Sequence, residues 1–283
     1  MYYVQESDKP KILYKIFNIV ELIEDKIILP IAKDEKIDNK KAKILALKTK
    51  KILEKTGCKK ICVSKKIKEQ TEYINDLRIF NIEIIEGKWL FSILINKILD
   101  YITNKNKIKK SDTTISILIN KLDKDYIYEH IKNIIKEYKT VNIITNNTSK
   151  FKKLEEEIYQ KDGIMINISN NKKKSLVRSK IILNIDFSNE LINQYNLPEN
   201  SIIININNKV KIAKKRFNGI NINDYEIKYL NIDEFDYDKY SLYEQKDIYE
   251  SQIYQNQPFE YIKRKIERDK VEIAYLQGNK NKY

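Results

Sequence analysis

The sequence is poor in the residues on which most catalytic and cofactor-binding chemistry is built. Among 283 residues there are one histidine, two cysteines, five glycines and five arginines. Cys58 and Cys62, even with His130 added, cannot supply the four soft ligands of a structural zinc site without carboxylates. Four residues apart along one short strand, they also sit too far apart to bridge, so reduced thiols are expected and no metal site. His130 is the one side chain that would titrate near neutrality if unperturbed. It falls three residues after Ile127 and four before Ile134, on the flank of a helix's apolar face, where a packing or surface role is expected and no catalytic residue is assigned. No run approaches the roughly eighteen apolar residues needed to cross a bilayer. The start, Met1 to Glu6, lacks the basic-then-apolar pattern of a secretion leader. The sequence reads as cytoplasmic, with no membrane association.

What the chain does have is 42% apolar and 33% charged residues, a composition that folds, and a length sufficient for two cores. Its net charge of +14 invites a nucleic-acid partner, because lysines neutralising phosphates release counterions. Two features weigh against that inference. Lys, Ile, Asn and Tyr dominate, all with codons rich in A and T, so codon usage inflates the lysine count. Arginine, preferred for bidentate recognition, occurs only at Arg78, Arg178, Arg216, Arg264 and Arg268.

Along the chain, alternation over 16–23, a turn at Glu24–Asp25 and a return over 26–30 predict a hairpin. A helix over 41–56 ending at Gly57 follows, then a strand over 60–64, a helix over 66–77, a strand over 79–85 and a helix from Trp89 to Tyr101. This makes an N-terminal α/β domain over 1–104, with lysine-rich 104–112 as the boundary. The next segment reads as strand 114–119, helix 123–138, strand 141–145, helix 148–161, and strands at 164–169, 180–185 and 201–206, with a short helix at 189–195. Strands alternating with helices imply parallel crossovers and a doubly wound sheet.

Within it, Val141-Asn142-Ile143-Ile144-Thr145-Asn146-Asn147-Thr148 enters a helix carrying Lys150, Phe151, Leu154 and Glu155. Gly163 starts a strand, and Ile181-Ile182-Leu183-Asn184-Ile185-Asp186 closes the run. The pattern over 113–223 resembles the NAD(P)-binding domain of the shikimate dehydrogenase and glutamyl-tRNA reductase type. The resemblance implies a Rossmann-like, mostly parallel sheet whose ligand would lie at the carboxyl edge, at Asn120, Asn146, Asn147, Thr148, Asn184 and Asp186. The departures fall where the cofactor would sit. The first strand-to-helix connection, Asn120-Lys121-Leu122-Asp123-Lys124-Asp125, has no glycine to let a pyrophosphate approach, and its two aspartates repel one. Asn147 stands where an arginine would clasp a 2′-phosphate, and no acid ends that strand to hold a ribose. The Asn-Val-Thr-x-Pro-x-Lys segment of a shikimate-type substrate domain is absent from 1–103. All five glycines have structural readings: Gly57, Gly163 and Gly278 as helix terminators, Gly87 and Gly219 in turns. NAD(P) is therefore not expected, and no other cofactor is assigned.

Three lysine clusters remain, at 105–110, 172–180 and 209–216. Lys172, Lys173, Lys174 and Arg178 are the strongest nucleic-acid candidates; Lys209, Lys211, Lys214, Lys215 and Arg216 form a second group near Phe217. Over 224–256 the charge reverses, with nine acids against three lysines and tyrosines at 225, 229, 237, 240, 243, 249 and 254. Tyrosine suits interfaces, so 224–283 either packs on the α/β units or docks a partner or second subunit. Pro258 opens an amphipathic helix expected to run to Gln277 and form a C-terminal arm. The expectation is a non-catalytic α/β protein acting through protein contacts. The alternatives are an enzyme or sensor with a nonstandard ligand at the sheet edge, and an RNA binder.

Overall fold

Tyr3, Val4 and Glu6 turn into the interior from the first strand, β1 (Tyr2–Glu6), in the computed structural model. It describes the chain except residues 33, 123, 214–216, 230–239, 254–256 and 279–281. Two compact units are formed. One joins Met1–Gly87 to Ile232–Gln257, the other Lys88–Asn231 to Pro258–Tyr283.

The first unit continues with α1 (Ile12–Phe17), β2 (Glu21–Ile23), β3 (Lys26–Leu29), α2 (Asn39–Thr56), β4 (Lys60–Val63), α3 (Lys65–Lys68), α4 (Thr71–Ile79) and β5 (Glu83–Ile85). Its sheet order is β2-β3-β1-β4-β5. All neighbours are parallel except the hairpin β2–β3. Asp38 caps α2 by accepting from the Lys41 amide at 2.7 Å, and Gly57 closes it at φ 68°, a left-handed turn that costs glycine little. Ala42, Leu45, Ala46 and Leu53 recur at helical spacing and meet Tyr73 and Leu77 of α4 in one core.

Three expectations here need correction. The hairpin is present, but its first arm spans only Glu21–Ile23, because Ile12–Phe17 is a helix. Reading alternation from Ile16 onward cut across the helical spacing of Ile12, Leu13, Ile16 and Phe17. The central strand β1 was not anticipated. The single helix over 66–77 is two, α3 and α4, parted at Gln70. That side chain accepts from the Ile37 amide at 3.2 Å and donates to the Glu35 carbonyl at 3.0 Å.

The second unit begins with α5 (Lys88–Ile93) and α6 (Ile95–Lys105). It proceeds through β6 (Thr114–Leu118), α7 (Asp125–Glu137), β7 (Thr140–Ile144), α8 (Thr148–Asp162), β8 (Asn167–Ser169), β9 (Ile181–Asn184), α9 (Asn189–Ile192), β10 (Ile202–Asn205) and β11 (Ile220–Lys228). The chain then supplies α10 (Gln245–Gln252) to the first unit and returns with α11 (Phe259–Arg268) and β12 (Glu272–Gly278). The sheet order is β12-β11-β10-β9-β6-β7-β8. Every pair from β8 to β11 is parallel, and only β12 is antiparallel. Counted from β6, this is the 3-2-1-4-5-6 order of a doubly wound dinucleotide-type sheet with a seventh strand added. The protein is thus an α/β protein with a Rossmann-like fold in its second unit.

The sheet extends past 223 through β11 and then β12. The C-terminal helix ends at Arg268, not Gln277. Lys270, at φ 48°, turns the chain, and Ile273 and Leu276 enter an edge strand opposite Ile227 and Tyr225. Their spacing of three is helical, and in the strand it is met by a register shift between Glu226 and Ile227. Gly278 is a strand end facing Ile222 rather than a helix stop. The boundary expected at 104–112 lies inside the second unit. There α6 buries Ile98, Leu99 and Ile102, and Lys110 bridges Asp100 and Glu137.

The tyrosines of the acidic stretch are largely internal. Tyr225 and Tyr229 are buried, and Tyr225 stacks on Phe91 at 4.4 Å between ring centres. Tyr240 and Tyr243 flank Tyr3 at 4.8 and 5.7 Å, and Tyr249 is fully buried in α10. Tyr237 and Tyr254 lie outside the described residues. No helix among those described is long and apolar enough to cross a membrane.

Candidate functional site

At the carboxyl end of β6 the chain turns outward through Ile119, Asn120 and Lys121. In dinucleotide-binding sheets the amides of this turn face a pyrophosphate. Here they face a carboxylate of the same chain. Asp186, two residues beyond β9, accepts from the Asn120 amide at 2.8 and 3.0 Å and from the Lys121 amide at 2.8 Å. The helix that follows is capped by Ser188, whose hydroxyl accepts from the Leu191 amide at the start of α9.

Asn120 is also occupied. Its Oδ1 accepts from the Asn146 amide at 2.9 Å and from the Thr145 hydroxyl at 3.5 Å, tying the first connection to the end of β7. The Asn147 amide donates to that same hydroxyl at 3.0 Å. Asn147 precedes α8 without capping it through its side chain, and Thr148 is the first helical residue. The structure thus brings Asn120, Asn146, Asn147 and Asp186 together from three loops, those after β6, β7 and β9.

Asn184 goes elsewhere, into a buried amide network. It accepts from the Phe187 amide at 2.9 Å and donates to the Phe187 carbonyl at 3.2 Å and to Asn205 Oδ1 at 3.0 Å. Asn205, its in-register neighbour on β10, donates in turn to Asn221, Asn223 and the Ile222 carbonyl at 2.8–3.1 Å. Asn221 and Asn223 close the set by donating to the Val210 carbonyl. Buried amides without partners cost about 1–3 kcal/mol each, so this chain of mutual satisfaction is what allows asparagine here. Asn205, Asn221 and Asn223 were not picked out from sequence. The available signal was that two neighbouring strands both end in asparagine.

The lysine clusters do not share one fate. Lys110 is held by Asp100 and Glu137, and Lys209 pairs with Asp224 at 3.1 Å. Lys214, Lys215 and Arg216 lie outside the described residues. Lys172, Lys173, Lys174 and Arg178 lie in turns connecting β8 to β9, a crossover with no helix in it, and Lys172 donates to Gln194 at 2.6 Å. Leu176 pins this crossover into the core beside Leu118 and Ile144. Beneath it opens a groove of about 550 Å³ lined by Thr114, Thr140, Asn142, Asn167 and Ser169, with Lys174 and Arg178 among its cationic lining. A polar ladder floors it: Asn167 donates to Asn142, Asn142 to Ser116, and Ser116 meets Ser179 at 2.6 Å.

His130 is buried rather than at the surface. Its ring meets Phe259 edge-on at 5.4 Å, and burial lowers its pKa to about 4, so it is neutral and packed at physiological pH. In the first unit Lys68 contacts Glu244 and fully buried Asp247. Burial pushes the Asp247 carboxyl up to about 8. Burial opposes the Lys68 charge too, yet Asp247 and Glu244 hold its pKa above the usual lysine range. Burial also raises the neighbouring Cys62 thiol, which disfavours a reactive thiolate. Both cysteines are free, with Cys58 partly buried just before β4. No cluster of three or more metal-ligating side chains occurs among the described residues.

No protein-family model and no curated protein matches the chain. Among solved structures, the crystal structure of L-tryptophan dehydrogenase from Nostoc punctiforme is similar over 64% of this chain, at 8% identity and a TM-score of 0.32. This chain spans about half of that one, 51%.

Proposed function

We propose that the second unit is a Rossmann-like scaffold that no longer binds a dinucleotide, and that the protein acts non-catalytically through contacts with other proteins. One observation carries this reading: the Asp186 carboxylate accepts from the Asn120 and Lys121 amides. A phosphate seeking those amides has to displace charge-assisted hydrogen bonds of about 1.5–3 kcal/mol each. It also has to approach a carboxylate of its own sign. The glycine-free connection adds side chains where the phosphate's oxygens would lie. Calorimetry of the full chain with NADH and NADPH tests the reading. No saturable heat is expected at millimolar ligand, and a tight, stoichiometric isotherm would refute it.

The groove under the 170–180 crossover supports a second reading. Lys174 and Arg178 over a floor of amides and hydroxyls suit an anionic, hydrogen-bonding ligand such as single-stranded RNA. None of the lining residues is aromatic, so base stacking has no platform there. Fluorescence anisotropy with labelled RNA at rising salt tests it. Binding that Arg178→Ala leaves unchanged would place the RNA elsewhere.

A further inference from the structure

The apolar side chains that the fold leaves in solvent are concentrated in one stretch, residues 12–23 of the first unit. Helix α1 buries none of its six residues. Ile12 is 77% exposed, and Leu13, Ile16 and Phe17 are each above 60%. Ile19, Leu22 and Ile23 are exposed too, Leu22 and Ile23 on opposite faces of β2. A helix this short does not hold itself together in water. It is fixed from below: the Lys48 ammonium donates to the Phe17 and Asn18 carbonyls at 2.8 Å each, and Lys15 pairs with Glu35 at 3.1 Å. The apolar face is therefore built and preorganised, and these side chains stay exposed.

We propose that this face is a two-fold interface with a second copy of the chain, centred on Leu22. Three observations choose this occupant. First, β2 is the end strand of its sheet and antiparallel to β3 across a two-residue turn, with Ile23 opposite Lys26. The pair flanking such a turn is hydrogen-bonded and alternation follows, so the Leu22 amide and carbonyl point off the sheet. Two such strands meeting antiparallel at Leu22 satisfy each other and join the sheets. Second, these seven residues, each 37–77% exposed, offer several hundred Å² of surface, toward the roughly 800 Å² each partner buries in a standard stable interface. Third, the charge is balanced, as a face that meets its own copy requires. Residues 8–26 carry Lys9, Lys11, Lys15 and Lys26 against Asp8, Glu21, Glu24 and Asp25, net zero in a chain of +14. A patch made for an anionic bilayer would instead carry the excess of one sign. The inference holds whether or not the other unit binds a nucleotide.

Sedimentation velocity of the full chain from 1 to 100 μM tests it. The expected result is twice the 33.8 kDa monomer mass. The Ile16→Lys/Phe17→Lys variant should return to the monomer mass with an unchanged circular dichroism spectrum. In a Cys58→Ser background, Leu22→Cys should cross-link to a dimer under mild oxidation, since the two-fold brings the paired residues together. A wild type that stays monomeric overturns the proposal, as does a double variant that remains dimeric. Co-sedimentation of monomer with phosphatidylserine vesicles, lost in the double variant, would also overturn it and assign the face to membrane.

Discussion

The carboxyl edge of the seven-stranded sheet and the α1–β2 rim of the five-stranded sheet invert the usual arrangement of polar and apolar groups. At the edge, where a ligand would be expected, asparagines and an aspartate satisfy one another and the backbone. At the rim, where solvent would be expected to meet polar groups, isoleucines, leucines and a phenylalanine are exposed. Binding capacity lies in unsatisfied groups. At the edge, Asp186 takes the Asn120 and Lys121 amides, whereas the rim leaves its apolar groups in solvent. Strand order alone does not assign a function.

The comparison can be broken or sharpened by substitutions of graded effect. The largest is expected at Gly219, which enters β11 so close to β10 that a Cβ there would lie 2.0 Å from the Ser201 carbonyl oxygen. Gly219→Ala should cost about 4 kcal/mol by urea denaturation, and a loss under 1 kcal/mol would mean that β10 and β11 are free to part at their amino ends. Next is His130. Its folded pKa of about 4 lies below the ordinary 6.5, so the unfolded chain takes up the proton first. Stability from this residue is complete above pH 6.5 and lost as pH falls toward 4, by about 3 kcal/mol in all. A pH–stability profile of His130→Phe should be flatter than wild type across that window.

Asn205→Ala follows. It strands donors and acceptors on Asn184, Asn221, Asn223 and the Ile222 carbonyl, and should cost about 2 kcal/mol. If the cost is near zero, the amide network is dispensable and the edge is open to ligand. The smallest effect is expected at the rim. Phe17→Lys, fully solvated in an isolated chain, should change monomer stability by no more than about 0.5 kcal/mol, read where the protein is dilute. A large loss there would mean the rim is core rather than surface.

How much of this was legible depended on the kind of signal. β9 and β10 are apolar runs up to their final asparagines, and β6 and β7 are nearly so, interrupted by Ser116 and Asn142, as befits strands covered on both faces; the helices between them marked them as parallel crossovers. β11 hid behind Asn221, Asn223 and Asp224, polar residues that break the apolar pattern of a strand until their partners are seen. Residues 259–276 kept helical spacing across a break that neither glycine nor proline marks. The six residues of α1 were too few for periodicity to separate helix from strand. Asn120, Asn146, Asn147 and Asp186 were singled out because ligands of open sheets gather at strand ends, and the structure sets them beside one another. What Asp186 does was not legible, because its partners are backbone amides 65 and 66 residues away, and backbone groups leave no mark in a sequence.

The central claim is that the amides of the first connection are already taken, and it can be observed directly. NADH is titrated into uniformly ¹⁵N-labelled protein while the Asn120 and Lys121 amide resonances are followed. The account predicts that both stay in place to millimolar ligand, downfield as carboxylate-bonded amides, and move only in Asp186→Ala. Saturable shifts of those two resonances in the wild type would contradict it.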